Sequence, residues 1–190
     1  GVNENIELPE FLRTGRYILR ETAESPSSAM NVSHPSNLAR LFAFYGGQMY
    51  DLRDPVTKKV VQEGVIGKMP NMVEMTQDIF SVGVDDAQHY KTIKEVYERH
   101  GIMLDPHGAV GLRALELFLA EQGKLFRNNP AVIYETADPG KFPDEVKKAI
   151  GIITKLPSGM QKQAGLKERI YSPDHINLTY TIYDRMIIGG

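Results

Sequence analysis

Apolar residues fall along the middle of the chain in two alternating rhythms, a short compact run followed by a helical stripe, and the alternation occurs three times. Ile79 to Val84 is the first run and leads into Asp85, which forms a capping-box pattern with Gln88. Ala87, Tyr90, Ile93, Val96 and Tyr97 then share one helical face up to Gly101. Ile102 to Leu104 is the second run. Asp105 is the expected cap after it, Pro106 takes the first helical position, and a helix apolar nearly all round is expected to run through Leu119 and stop at Gly123. Ala131 to Tyr134 is the third run, and Pro143 to Ile150 the third helix, with Val146, Ala149 and Ile150 facing inward. Strands alternating with helices in this way predict an α/β fold with a mostly parallel sheet flanked by helices.

The flanks are less regular. Leu8 to Leu12 reads as a helix with Pro9 near its start and Thr14-Gly15 as its stop, and Arg16 to Leu19 as a short strand. Glu21 to Ser36, rich in serine and proline, is expected to be a loop. Ser36 then caps a helix carrying Leu38, Leu41, Phe42 and Tyr45, which Gly46-Gly47 ends. Met49 to Asn71 shows no sustained period and is expected to be helical in pieces. Beyond Thr154 turn residues take over, and Leu178 to Ile188 alternates in the manner of a strand. The strongest boundary, Lys155 to Gly159, divides an α/β segment, residues 1–155, from a carboxyl-terminal extension, residues 156–190.

Composition narrows the classes. The chain's 190 residues suit one domain with its own core. The absence of cysteine removes disulfides, thiolate metal sites and cysteine nucleophiles, and points to an intracellular, cytoplasmic protein. Net charge is −2 with both signs interleaved, so neither nucleic acid nor an anionic membrane is an expected partner. No apolar run approaches the roughly 20 residues that span a bilayer. The 5 histidines never pair at the spacing that lets a helix present two metal ligands, and no metal is expected. No G-x-S-x-G elbow, phosphate-binding P-loop or dinucleotide fingerprint is present.

Chemistry is best sought where strands turn into helices, because open α/β folds bind ligands there. Two such turns stand out: Asp105-Pro106-His107-Gly108-Ala109-Val110-Gly111, and Tyr134 to Pro143, which contains Glu135-Thr136-Ala137-Asp138-Pro139-Gly140-Lys141-Phe142. Asp105 reads as a helix cap. His107, at the mouth of the first turn, either orients a substrate or hydrogen-bonds a neighbouring loop. Thr136 offers a hydroxyl at the carboxyl end of a strand, for a ligand or for its own turn.

These two segments resemble the second half of threonine synthase, a pyridoxal-phosphate (PLP) enzyme, where they read DPH-x-AVG and ETA-x-P-x-KFP. Two further segments agree in order: Val2-Asn3-Glu4-Asn5 with Thr14-Gly15-Arg16-Tyr17, similar to the family's N-x-N-D and G-x-Y, and Ser27 to Leu41, similar to its S-x-S-M-D-I followed by P-S-N-F-E-R-L. The resemblance implies part of the large domain of a fold-type II PLP enzyme that converts O-phospho-L-homoserine and water into L-threonine and phosphate. It implies that Thr136 binds the cofactor through the pyridine nitrogen, and that Asn3, Asn5 and His107 lie on the substrate side.

Departures accompany the resemblance. Ile6 stands where the family has Asp after N-x-N, and Asn31 where it has Asp after Met. Residues from Ser172 to Gly190 match no family segment. The lysine that binds the cofactor covalently and the Gly-Asn-rich loop that holds its phosphate belong to the part of the family preceding this stretch, so no catalytic residue is assigned in this chain. The chain alone is expected to be inactive, with the amino-terminal portion of the same enzyme as its partner and some self-association through exposed apolar surface. Two rivals stay open: a related ligand-binding domain without catalysis, and an interaction protein.

Overall fold

The computed structural model describes residues 1–126, 129–164 and 166–167. Helix α1 (Glu7–Thr14) stops at Gly15, whose φ of +68° lets its N–H close on the Phe11 carbonyl at 2.8 Å. Residues 16–19 form no strand. The segment from Glu21 to Ser36 is irregular, as its composition requires, with one 3-10 turn at Ser28–Met30. Helix α2 (Leu38–Phe44) is not capped by Ser36: Asn37 holds the cap position without a side-chain bond, and the Leu38 N–H closes on the Pro35 carbonyl.

The stretch from Met49 to Asn71 corrects the expectation of helical pieces. It is an antiparallel hairpin of β1 (Gln48–Arg53) and β2 (Val60–Lys68), the sole sheet among the described residues. Asp54 builds the turn, its Oδ1 accepting from the backbone N–H of Val56 at 3.0 Å and of Thr57 at 2.6 Å. Register shifts break the two-residue alternation, and Gly64 takes φ +63° inside β2, so the strand period was hidden. The hairpin is fastened to the preceding loop by a chain of side chains: Tyr17 Oη lies 2.8 Å from His34 Nδ1 and 3.3 Å from the Ser33 carbonyl, and His34 Nε2 lies 3.0 Å from Asp51 Oδ1, which also accepts the Gly64 N–H at 3.0 Å.

After the hairpin, α3 (Met72–Asp78) is capped by Asn71, whose side chain accepts from Glu74. Phe11, Leu38, Phe42, Tyr45, Met49 and Met75 make one core cluster from these elements, with the Phe11 and Phe42 rings stacked at 4.8 Å. Burying each phenyl ring contributes about 1.5–3 kcal/mol. Helix α4 (Asp86–His100) has the expected cap, Asp85 Oδ1 accepting from the Gln88 N–H at 2.7 Å, and the expected stop at Gly101.

Helix α5 (Pro106–Phe126) starts as predicted and runs past Gly123. Among the residues of α5 whose burial is described, the fully buried ones lie near its start, Ala109, Val110 and Ala114 among them. Val84, Val110 and Ala114 form a second cluster with Met30 and Val82. Helix α6 (Pro143–Ile150) buries Val146 and ends at Gly151. The runs expected as strands, at 79–84, 102–104 and 131–134, are extended without ladder partners among the described residues, apart from one parallel bridge between Val2 and Gly83. A helix closes its own hydrogen bonds, whereas a strand exists only beside another.

Residues 1–156 form one compact unit and 157–190 a second, whose described part includes α7 (Ser158–Gln161). The alternation expected at 178–188 lies outside the described residues. Among the described residues no helix is long and apolar enough to cross a membrane.

Candidate functional site

Asp105 does more than cap α5. Its Oδ1 accepts the backbone N–H of His107 at 2.8 Å and also meets the ring Nδ1 at 2.6 Å, and the whole residue is buried. The ring's Nε2 accepts the Ala29 N–H at 3.2 Å, so that nitrogen carries no proton and Nδ1–H is the donor to Asp105. His107 is thus a neutral imidazole with both nitrogens engaged, 7% exposed, its ring edge-on to Phe142 at 5.2 Å. It ties the 27–31 loop to the start of α5.

That loop is held from its other side by Asn3 and Asn5. Asn3 Nδ2 donates to Ser27 Oγ at 3.2 Å and to Asn31 Oδ1 at 2.8 Å, while its Oδ1 accepts Asn5 Nδ2 at 2.9 Å. Asn5 Nδ2 also donates to the Ala23 carbonyl at 3.0 Å, and its Oδ1 accepts the Ala23 N–H at 2.9 Å. Both asparagines are buried, and every polar side-chain atom of the two has a partner, which such burial demands. The Asn31 amide donates to Glu24 Oε2 and to the Ser25 carbonyl, each at 3.1 Å. An aspartate at position 31 has no proton to give to either. Ile6, at the other departure, leaves α1 without a side-chain cap.

Glu135 joins the same network from above. Its Oε1 accepts the Asp105 N–H at 2.6 Å, and its Oε2 lies so close over Gly108 that a Cβ there would stand 2.2 Å from it. Glu135 is exposed as a residue, but the partial loss of water from its carboxyl against α5 and the adjacent Asp105 carboxylate push its pKa up to about 7, against the opposing pull of the Asp105 N–H. Ile133, two residues earlier, sits over Gly111 in the same way, with a Cβ there meeting its Cγ2 at 3.2 Å. Residues 133 and 135 therefore face α5, and the alternate residues Val132 and Tyr134 point outward, 78% and 80% exposed.

Thr136 follows at the end of this segment, exposed, with no partner for its hydroxyl among the described residues. Its own turn is closed instead by Asp138, whose Oδ1 accepts the Gly140 N–H at 2.7 Å. A neutral, unengaged hydroxyl is a suitable donor to a ring nitrogen that stays unprotonated. Three of the four residues singled out in the sequence, Asn5, Asn3 and His107, thus lie along one run of bonds that passes through the loop and on to Asp105 and Glu135, while the fourth, Thr136, takes no part in it and is next in the chain. Glu135 and Ser27 were not singled out, and Asn31 was named only as a departure from the family pattern. An acid facing a helix on the apolar side of a strand, opposite a glycine, was the available sign of the first. Below His107, beyond Phe142, a cleft of about 470 Å³ is lined by Glu24, Ser28, Tyr90, Lys141 and Lys148 among others.

Comparison with known proteins gives these positions a context. A family model described as threonine synthase, C-terminal, matches residues 108–178. A threonine synthase from Corynebacterium glutamicum is 33% identical over 83% of this chain and 33% of its own length, and one from Pseudomonas aeruginosa is 31% identical over 89% of the chain and 35% of its own. The crystal structure of a PLP-bound threonine synthase from Brucella melitensis superposes with a TM-score of 0.64 at 24% identity, over 89% of this chain and 35% of that one. The chain spans about a third of the length of these relatives.

Proposed function

Because the chain is kin to the carboxyl-terminal part of threonine synthases, we propose that it supplies that part of a PLP-dependent enzyme making L-threonine and phosphate from O-phospho-L-homoserine and water. PLP supplies an electron sink for the substrate carbons during elimination and replacement. The observation that carries the reading is Thr136, whose exposed hydroxyl has no partner among the described residues while the polar groups leading up to it are bonded within the protein. In the proposed site this hydroxyl donates to the pyridine nitrogen and, being neutral, does not hold a proton there. Asn3, Asn5 and His107 act by fixing the 23–31 loop beside the site.

The reading assigns the covalent lysine and the phosphate-binding loop to a partner, the amino-terminal portion of the same enzyme. Mixing the 190-residue chain with the amino-terminal portion of a related threonine synthase tests it, with phosphate release from O-phospho-L-homoserine as the readout. Only the mixture should turn over. Thr136→Ser should keep most of that rate, whereas Thr136→Asp, with a carboxylate at the ring nitrogen, should lose about 100-fold or more, in line with loss of a tuned electrostatic contact. Turnover by this chain alone, or equal rates for Ser and Asp, would overturn the reading.

A further inference from the structure

We propose that Glu135 is a positioning residue: lodged against Gly108 at the first turn of α5, its carboxyl fixes the segment that presents Thr136. The proposal rests on the reading of Thr136 only for its functional consequence; the clasp itself stands on geometry. Segment 131–137 makes no backbone ladder, and among the described residues Asp105 is its only polar partner, through Glu135. Apart from that bond, the segment is seated by Ile133 over Gly111. An extended strand end held by one side chain points where that side chain lets it point, and the residue next along is Thr136.

Gly108 is the other half of the clasp. A methyl group at position 108 would occupy the place of the carboxyl, 2.2 Å from Oε2 and 2.7 Å from Cδ. Because the obstructed atoms are the free end of a flexible side chain, the glutamate swings out and the helix keeps its shape. Ala is also a better helix former than Gly. Gly108→Ala therefore opens the clasp without unfolding its support.

The clasp also responds to protons. The groups facing the Glu135 carboxyl are the Asp105 carboxylate and, bonded to that, the His107 imidazole, with the buried His89 beyond. A protonated Glu135 shares its proton with Asp105, whereas an ionised one sets two carboxylates side by side. With its folded pKa raised to about 7, the folded state holds the proton more tightly than the unfolded chain, so the clasp is tight on the acid side and loosens as pH rises through about 7. Gln at position 135 keeps an acceptor for the Asp105 N–H and adds a permanent N–H donor toward the carboxylate, mimicking the protonated acid.

Amide NMR of the 190-residue chain between pH 5 and 9 tests this without cofactor or substrate. The Thr136 amide should shift with a midpoint near 7 in the unaltered protein, stay at its acid-side position at every pH in Glu135→Gln, and leave it at every pH in Gly108→Ala and Glu135→Ala. Exchange of the Asp105 amide should quicken about tenfold in the last two variants and not in Glu135→Gln, with the thermal midpoint of Gly108→Ala unchanged or raised. A Thr136 resonance indifferent to both Gly108→Ala and pH overturns the proposal. If the clasp behaves as stated while Thr136→Ser and Thr136→Asp turn over alike in the mixed enzyme, the clasp stands and the cofactor reading of Thr136 falls; the reverse result sinks the clasp alone.

Discussion

Asn31→Asp restores the residue of the resembling motif, and it should destabilise this chain. The Asn31 Oδ1 that accepts from Asn3 survives the change, but Nδ2, now donating to Glu24 Oε2 and to the Ser25 carbonyl at 3.1 Å, becomes an acceptor facing two acceptors. Two hydrogen bonds worth about 0.5–1.5 kcal/mol each are lost. At pH 7 a carboxylate also faces the Glu24 carboxylate, which at about 3–4 Å in a largely hydrated setting adds roughly 1–2 kcal/mol before the chains move apart. Relaxation reduces the sum to about 2 kcal/mol at pH 7. Adding Glu24→Gln should return roughly half, because the amide of the new glutamine can donate to the carboxylate introduced at position 31. Urea denaturation of the four members of the cycle at pH 7 supplies the measurement. A single substitution costing less than about 0.5 kcal/mol, or a double mutant no more stable than Asn31→Asp alone, refutes the reasoning.

Gly64→Ala should cost clearly more than Gly15→Ala. Both glycines have positive φ, for which about 1–2 kcal/mol is expected, but a Cβ at 15 meets open space whereas one at 64 stands 2.7 Å from Tyr17 Cε1; equal urea midpoints count against the packing described. His89 is 2% exposed with both ring nitrogens unpartnered among the described residues, and burial holds its pKa below the ordinary histidine range. The unfolded chain therefore takes up the proton first, and stability tied to the neutral ring is lost as pH falls below about 6.5. His89→Leu should flatten thermal stability between pH 7 and 5, and an unchanged slope shows that another group governs it.

What was legible in the sequence was what the chain settles locally. Asp85 with Gln88, Asp105 with Pro106, and Gly15 and Gly101 mark helix ends whose bonding partners lie within four residues. Ser36 misled because Asn37 beside it took the cap position, and the hairpin was missed because a glycine inside β2 and an irregular register broke its alternation. The turns bearing His107 and Thr136 were found by their place after apolar runs. Their surroundings were not, since Asn3 reaches Asn31 and His107 reaches Ala29 across spans on which local patterns are silent. Glu135 is an exposed acid like many others in the chain, and only the nearness of Gly108 and Asp105 distinguishes it.

The link from Tyr17 through His34 to Asp51 has a consequence of a different kind. With His34 neutral, the Tyr17 hydroxyl donates to Nδ1 while Nε2–H donates to Asp51. With His34 protonated, Nδ1–H donates to the tyrosine oxygen, and the hydroxyl turns to the Ser33 carbonyl 3.3 Å away. The ring and the phenol keep their places in both states, and only the hydroxyl hydrogen turns. The hairpin is therefore moored by a joint that either form of the His34 ring can make, whereas the proposed clasp on the segment before Thr136 is one that a single proton tightens or releases.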